Sequence, residues 1–212
     1  KAFMLTWTGT TENGTLGHGL DVAPEFIVAS DTDTGSACDR FVFHKNVPSF
    51  GRLFLDTAAA ADTNANGWQN TAPSTTLVSV GTGSHNGTGT SVMWGYASSS
   101  VFDFGSYEGN GNADGTFVNL GNAPTTIFAK PIDASGSWWQ WDMKTSPHNP
   151  DSGALWWDAT DAQSTAGRAD IVSNGLKLRN ANDPNTNTVV YGAFGIKPLT
   201  DGGVNQVRAD GR

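Results

Sequence analysis

The side chains that could carry acid–base or nucleophilic chemistry are few and widely separated in this sequence. The 212-residue chain has three glutamates, Glu12, Glu25 and Glu108, and none has a partner acid two positions away on the same strand. Hydrolysis of a glycosidic bond needs two carboxyl groups that flank the bond. Asp56 and Asp158 form another acid pair, but they occupy corresponding places in an internal repeat and are expected to lie far apart.

Nucleophilic and metal-assisted catalysis have no better support. The chain contains no Gly-x-Ser-x-Gly motif, and its four histidines, at positions 18, 44, 85 and 148, have neither His-x-His nor His-Glu-x-x-His spacing. The glycine-rich run at 109–115 is expected to join two strands, so it lacks the helix N-terminus on which phosphate loops depend. The sequence therefore predicts a protein that is not an enzyme.

Calcium is the one cofactor that the sequence suggests. Asp31 and Asp33 offer oxygen ligands at alternate positions, and Asn110, Asn112 and Asp114 do the same later in the chain. Neither run has the trailing acidic residue of a complete calcium loop. Asx-rich β-turns, whose side chains bond their own backbone, have the same sequence pattern. The prediction is therefore no cofactor, with calcium at these two loops as the alternative.

The elements that position these groups are arranged as an internal repeat. Trp7, Gly9 and Pro24 recur one hundred positions later as Tyr107, Gly109 and Pro124, and the strands predicted at 25–30 and 40–44 recur at 125–130 and 138–142. This pattern predicts two β-rich units of about ninety residues, at 1–100 and 101–198, before a polar tail or linker at 199–212. Positions that are apolar in both units are the predicted core: Ile27/Ile127, Phe41/Trp139, Phe43/Trp141, Phe54/Trp156 and Trp94/Tyr191.

The expected fold class is all-β. Glycine is abundant, no window shows a 3.6-residue apolar period, and most connections are short, which favours antiparallel pairing. We predict an antiparallel, jelly-roll-like β-sandwich in which the two units pack as one domain. A pair of small β-domains is the alternative architecture.

Positions that are apolar in only one unit indicate possible binding residues. Trp138 corresponds to Arg40, and Gln140 corresponds to Val42, so Trp138 is expected to leave the core face and to be exposed. Trp157 corresponds to Leu55 and could lie on either side. Exposed aromatic side chains often mark binding surfaces. The predicted binding residues are therefore Trp138, Trp157 and Gln140.

Charge and composition exclude several partners. The formal net charge of −8 and the absence of any Lys/Arg cluster argue against nucleic acid and anionic membranes. No apolar run is long enough to span a bilayer. Cys38 is the only cysteine, which excludes an intrachain disulfide and predicts a small side chain in or near a loop. Because the chain begins with Lys1 and has no initiating Met, we expect it to be a fragment, a processed form or one domain of a longer protein.

The run Phe104–Lys130, together with the following WWQWDMK and Asn174–Leu178 segments, resembles a recurrent module of phage tail proteins. The residues that fit its pattern are Gly105, Tyr107, Gly109, Asn110, Gly111, Pro124, Lys130, Trp141 and Asp142. The family has Gly-Phe before the proline, where this chain has Gly121-Asn122-Ala123. The first unit is more divergent and has Ser30 in place of Lys130.

The resemblance implies a non-enzymatic domain of a tail fibre or other virion appendage, with a structural or host-glycan-binding role. It implies an extracellular virion location and other virion subunits as partners, with a homo-oligomer, favoured as a trimer. It supplies no catalytic residues. The alternative is a secreted carbohydrate-binding module or polysaccharide-active enzyme with a β-sandwich fold.

Overall fold

The structure is a computed structural model, and secondary structure in its described part is almost entirely β-strand. The described residues are 1–33, 39–145, 147–149, 153–166 and 168–195. Short 3-10 turns at Pro48–Phe50 and Ser84–Asn86 are the helical elements in these ranges. The predicted loop residue Cys38 and the predicted tail at 199–212 lie outside them. No helix in the described ranges is long and apolar enough to cross a bilayer.

The strands form where β-branched and aromatic residues are dense, because these side chains pack well on a pleated surface. The sequence predicts strands at 25–30 and 40–44, and strands are observed at Phe26–Asp31 and Phe41–His44. All strand pairs are antiparallel in the described part of the chain. The predicted all-β, antiparallel sandwich class is confirmed. The jelly-roll form of that sandwich remains a prediction.

The chain divides into two compact units between Ser98 and Ser99. Unit 1 contains a five-stranded sheet in the order β1-β7-β3-β4-β5 and a two-stranded sheet of β2 and β6. Its strands are β1 (Ala2–Thr8), β2 (Gly14–Gly17), β3 (Phe26–Asp31), β4 (Phe41–His44), β5 (Leu53–Phe54), β6 (Leu77–Val80) and β7 (Thr90–Tyr96).

Unit 2 contains a five-stranded sheet in the order β12-β11-β10-β15-β8 and a three-stranded sheet in the order β13-β14-β9. Its strands are β8 (Phe102–Glu108), β9 (Phe117–Asn119), β10 (Thr126–Pro131), β11 (Trp139–Asp142), β12 (Leu155–Trp156), β13 (Ala169–Val172), β14 (Gly175–Leu178) and β15 (Thr188–Phe194). The large sheet has the same strand order in both units. The strands β8, β15, β10, β11 and β12 of unit 2 occupy the places of β1, β7, β3, β4 and β5 of unit 1.

Each unit has its own hydrophobic core, in which one face of the large sheet packs on the small sheet. In unit 1 the core includes Phe41, Phe43 and Val78, and it also contains Trp68 from the long connection between β5 and β6. In unit 2 the core is larger, and Trp139 and Trp141 pack there with residues of the small sheet such as Leu176, which is fully buried. The long connection in unit 1 therefore serves packing through Trp68.

Strand register also corresponds between the units. Ala29 pairs with Phe41 and Phe41 with Phe54, while Ala129 pairs with Trp139 and Trp139 with Trp156. These pairs place Phe41 and Trp139 at equivalent positions, and likewise Phe54 and Trp156.

One predicted correspondence is wrong by a single residue. Val28 pairs with Trp94 and Phe128 pairs with Gly192, so Trp94 corresponds to Gly192 rather than to Tyr191. Because side chains alternate along a strand, this shift moves Trp94 off the core face, where it is half-buried. Phe54 and Trp156 are also half-buried, because both lie on a two-residue edge strand.

Candidate functional site

The structure brings Trp157 and Gln140 together on the face of the large sheet of unit 2 that is opposite to its core. Trp157 follows β12 directly, and 36% of its surface is exposed. Its indole Nε1 donates a hydrogen bond of 2.5 Å to the Gln140 Oε1. Beneath it lie Trp138, stacked at 5.6 Å between ring centroids and 14° between planes, and Phe128, at 4.7 Å. We call Trp157 and Gln140, supported by Trp138 and Phe128, the Trp157 platform.

The predicted exposure of Trp138 is wrong. Alternation along β11 sends Trp139 and Trp141 into the core of unit 2 and leaves Trp138 on the other face, as expected. That face is itself covered, however, and Trp138 is 0% exposed. Its ring lies under Trp157 and near Phe128, at 5.9 Å between centroids. Trp138 therefore lies beneath the exposed Trp157 and is not itself part of the exposed surface.

Asp158 fixes the strand that carries these aromatic residues. Its Oδ1 accepts a 3.0 Å hydrogen bond from the Trp138 backbone N–H, and the Trp157 N–H donates to the Trp138 carbonyl at 3.2 Å. In unit 1, Asp56 bonds to the neighbouring strand end in the same way: its carboxylate accepts hydrogen bonds from the backbone N–H and the guanidinium of Arg40. Both aspartates are thus occupied in holding strand ends together.

The first predicted calcium loop uses its oxygens for turn hydrogen bonds. Asp31 Oδ1 accepts a 2.7 Å hydrogen bond from the Asp33 N–H, which is an Asx turn. Asp33 accepts hydrogen bonds from the Thr90 N–H at 2.7 Å and from the Thr32 hydroxyl at 3.3 Å. These bonds, led by the Thr90 backbone N–H, lower the pKa of the exposed Asp33.

The second predicted calcium loop is organised in the same way. Asn110 Oδ1 accepts from the Asn112 N–H at 3.0 Å, and Asn112 Nδ2 donates to the Asn110 carbonyl at 2.8 Å. The Asp114 carboxylate pairs with Lys177 at 2.7 Å and lies 4.0 Å from Arg179. The Lys177 hydrogen bond and charge, with a smaller effect of Arg179, lower the pKa of Asp114. Among the described residues, no cluster of three His, Cys, Asp or Glu side chains could hold a metal ion.

A fully buried asparagine in each unit holds the glycine-rich loop and was not foreseen from the sequence. Asn185 Oδ1 accepts from the N–H groups of Asn110 and Thr116, and its Nδ2 donates to the carbonyls of Asn112 and Asn180. Asn86 has the matching position in unit 1, where its Oδ1 accepts from the Trp7 indole and its Nδ2 donates to two backbone carbonyls. Asn86 and Asn185 both lie in polar runs whose composition is typical of turns, so the sequence does not indicate that they are buried and hold the loop backbone.

A second feature that sequence reasoning missed is the polar cluster around Asp183. Asp183 Oδ2 accepts a 3.2 Å hydrogen bond from the Trp139 indole, and the Arg168 guanidinium lies 4.9 Å from the centroid of the same ring. Burial is the main cause that raises the pKa of Asp183, while Trp139, Lys130 and Arg168 oppose the shift. Three buried atoms of the cluster have no hydrogen-bond partner in the described structure: Arg168 Nε, Asn180 Oδ1 and Asp183 Oδ1.

Lys130, which the resemblance singled out, is a buried charge next to this cluster. It is 0% exposed, and its Nζ donates a 2.5 Å hydrogen bond to the Gly136 carbonyl. Burial lowers its pKa to about 8, against the opposing charges of Asp158 and Asp183. A buried lysine is expensive unless it is paired. Because Lys130 lies on β10, its hydrogen bond to the Gly136 carbonyl links the loop before β11 to the sheet.

The described part of the chain is thus all-β, forms two compact units, and carries the Trp157 platform on unit 2. Comparison with protein families places the chain in one family, described as "Domain of unknown function (DUF7483)", whose model matches residues 3–198. The chain belongs to this family, and the match spans both units. No curated protein and no solved structure gives a significant match.

Proposed function

We propose that this chain is a non-enzymatic domain of a phage virion appendage, such as a tail fibre or knob, and that it binds a cell-surface glycan through Trp157. The observation that carries the binding role is the Trp157 platform. An exposed indole stacked on a buried one, with its Nε1 fixed by Gln140, presents a flat apolar face without further loss of side-chain freedom. Sugar rings stack on such faces through their C–H groups.

The appendage context is supported by the sequence resemblance described above. We propose other virion subunits as partners, including further copies of this chain, and an extracellular location on the virion. A net charge of −8 suits partners other than nucleic acid or anionic lipid. A secreted carbohydrate-binding module is the second candidate, because the same platform would serve it equally well.

We also infer that the two units are copies of one module. The matching order of the large sheets and the matching register of β3, β4 and β5 with β10, β11 and β12 support this inference. In this view unit 2 carries the binding surface, because Trp157 stands where unit 1 has Leu55.

A glycan array with three forms of the protein tests the binding role. The wild type is expected to bind a limited set of glycans, and Trp157→Ala should weaken that binding more than about tenfold, as for a central aromatic anchor. Phe117→Ala is the matched control, since Phe117 is a 43% exposed aromatic residue in the same unit. It should bind like the wild type.

Two results would contradict the glycan-binding proposal: a wild-type protein that binds no glycan on the array, or a Trp157→Ala variant that binds as well as the wild type. Adding EDTA tests the calcium alternative in the same assay. Loss of binding with EDTA, restored by calcium alone, would place a calcium ion at the loop of Asp31 and Asp33 or at that of Asn110, Asn112 and Asp114.

A further inference from the structure

The outer edge of β1 is a row of backbone groups with no strand beside it in the described part of the chain. β1 pairs over its whole length with β7, from Ala2 with Tyr96 to Thr8 with Thr90. The Gly9 N–H donates to Gly89, and Lys1 and Ala97 exchange hydrogen bonds. Since such pairs alternate along an antiparallel ladder, the odd-numbered residues of β1 bond to β7.

It follows that the N–H and C=O groups of the even-numbered residues, Ala2, Met4, Thr6 and Thr8, point away from β7. The side chains of these four residues are exposed, and Met4 is 72% exposed. Natural edge strands usually carry charges, prolines or bulges that prevent pairing with another chain. β1, with the sequence AFMLTWT, has no charge and no proline.

Unit 2 provides an internal comparison. β8 occupies the equivalent edge and pairs with β15 in the equivalent register, from Phe102 with Phe194 to Glu108 with Thr188. Unlike β1, it carries two acids, Asp103 and Glu108, within the strand. If β8 paired antiparallel with β8 of a second copy, the acidic side chains of both strands would lie close together and repel one another. The edge of β8 is protected by its charges, and the edge of β1 is open.

We propose that the β1 edge binds the β1 edge of a second copy of this chain, in an antiparallel pair centred on Leu5. This register pairs Ala2 with Thr8 and Met4 with Thr6 of the second copy, so all four outward-facing residues of each strand are hydrogen-bonded. Phe3 and Trp7, whose side chains point toward the core of unit 1, then face Trp7 and Phe3 of the second copy.

Charge and shape favour a second copy as the occupant. The pairing is self-complementary, as a twofold contact requires, because every residue of β1 finds its partner in the same strand. No like charges meet, since Lys1 falls opposite Gly9. The exposed Met4 side chain packs beside Thr6 of the second copy, and the two large sheets continue across the contact as one. The inference names the surface for the self-association proposed above, as a twofold pair in place of the trimer that the resemblance favoured, and it does not depend on the Trp157 platform.

The test is mass in solution by light scattering, over a range of protein concentrations, with the whole chain. The wild type is expected to be a dimer. Thr6→Lys should raise the dimer dissociation constant at least tenfold, because the two new lysines lie diagonally across the pair on the same face. Ser106→Lys is the matched control, since Ser106 is the exposed residue at the equivalent position of β8. It should remain dimeric.

A second variant separates backbone pairing from charge. Thr6→Pro removes an outward-facing N–H and leaves the hydrogen bonds to β7 in place, so it should also give a monomer with an unchanged circular dichroism spectrum. A wild type that stays monomeric at every concentration would overturn the proposal. So would a trimer, or a dimer that neither Thr6 variant weakens. The glycan array reads out Trp157 separately, so failure of one proposal does not imply failure of the other.

Discussion

His85 in unit 1 shows what burial does to a single titratable side chain. It is 0% exposed, its ring is stacked on Phe41 with centroids 4.4 Å apart, and Trp68 lies 5.4 Å away. Burial, together with the nearby Arg52 charge, lowers its pKa to about 4 from an ordinary value of 6.5. The protonated ring is disfavoured in the folded protein, so the histidine is neutral at physiological pH.

This shift predicts a loss of stability in mild acid. The folded pKa lies below the unfolded one, so the contribution of His85 is complete above pH 6.5 and declines as the pH falls toward 4. We expect the free energy of unfolding to drop by about 2 kcal/mol between pH 7 and pH 5 from this residue. Urea unfolding at the two pH values measures the change.

The variants His85→Leu and His148→Gln make the pH experiment specific. His85→Leu should remove most of the pH dependence between 7 and 5, whatever it does to stability at pH 7. His148 is exposed, so His148→Gln should keep the wild-type profile. If the His85→Leu profile is as steep as that of the wild type, the acid sensitivity has another source.

Asn185 is the residue on which the glycine-rich loop of unit 2 depends. Replacing it with Ala would leave the N–H groups of Asn110 and Thr116 and two carbonyls without their partner. We predict a loss of about 3 kcal/mol in the free energy of unfolding, measured by chemical denaturation. Asn187→Ala is the control, since among the described residues the Asn187 side chain bonds only to the neighbouring Thr186 hydroxyl. Equal losses in both variants would contradict this role.

At the scale of the elements, the turn after β1 depends on close backbone approach. A Cβ on Gly9 would lie 1.7 Å from the Gly87 carbonyl oxygen, which belongs to the backbone and cannot move aside easily. A Cβ on Gly14, at the start of β2, would meet only the Val80 side chain among the described residues, at 3.7 Å. The two glycines therefore differ sharply in what they tolerate.

We expect Gly9→Ala to lower the free energy of unfolding by about 3 kcal/mol or more. Gly14→Ala should change it by less than about 1 kcal/mol, because its Cβ meets ordinary contact distances. Thermal unfolding of the two variants beside the wild type provides the comparison. Similar melting temperatures for the two variants would show that the turn can relax around a methyl group.

The sequence was informative about strands because alternation and residue type act locally. The segments of Phe26–Asp31 and Phe41–His44 were found within a residue or two, and Phe43 and Trp141 were correctly assigned to cores. Alternation also identified the face of Trp138. It carried no information on whether that face is covered, because cover depends on residues distant in sequence, such as Phe128 and Trp157.

The candidate site was predictable only in part for the same reason. Trp157 and Gln140 were named from differences between the two halves, and their hydrogen bond depends on the pairing of β11 with β12. Asn185 and Asp183 were missed because each lies in a run of polar residues that reads as an ordinary turn. Buried polar side chains acquire their role from tertiary contacts, which a single sequence does not display.

At the scale of the whole molecule, the first strand of each unit pairs with the last strand of the same unit. β1 pairs with β7 and β8 pairs with β15. These are the most distant pairings in each unit, whereas β7 and β8 are neighbours in sequence but belong to different sheets.

This arrangement has a consequence for synthesis on the ribosome. Neither large sheet is complete until its final strand has left the exit tunnel, so β1 waits for residues 90–96 and β8 waits for residues 188–194. During that time β3 and β10 each lack one neighbour, and loop closure over such separations makes folding slow. A nascent chain of this kind exposes unpaired strand edges that are prone to aggregation. We therefore expect it to need chaperones that bind chains during translation.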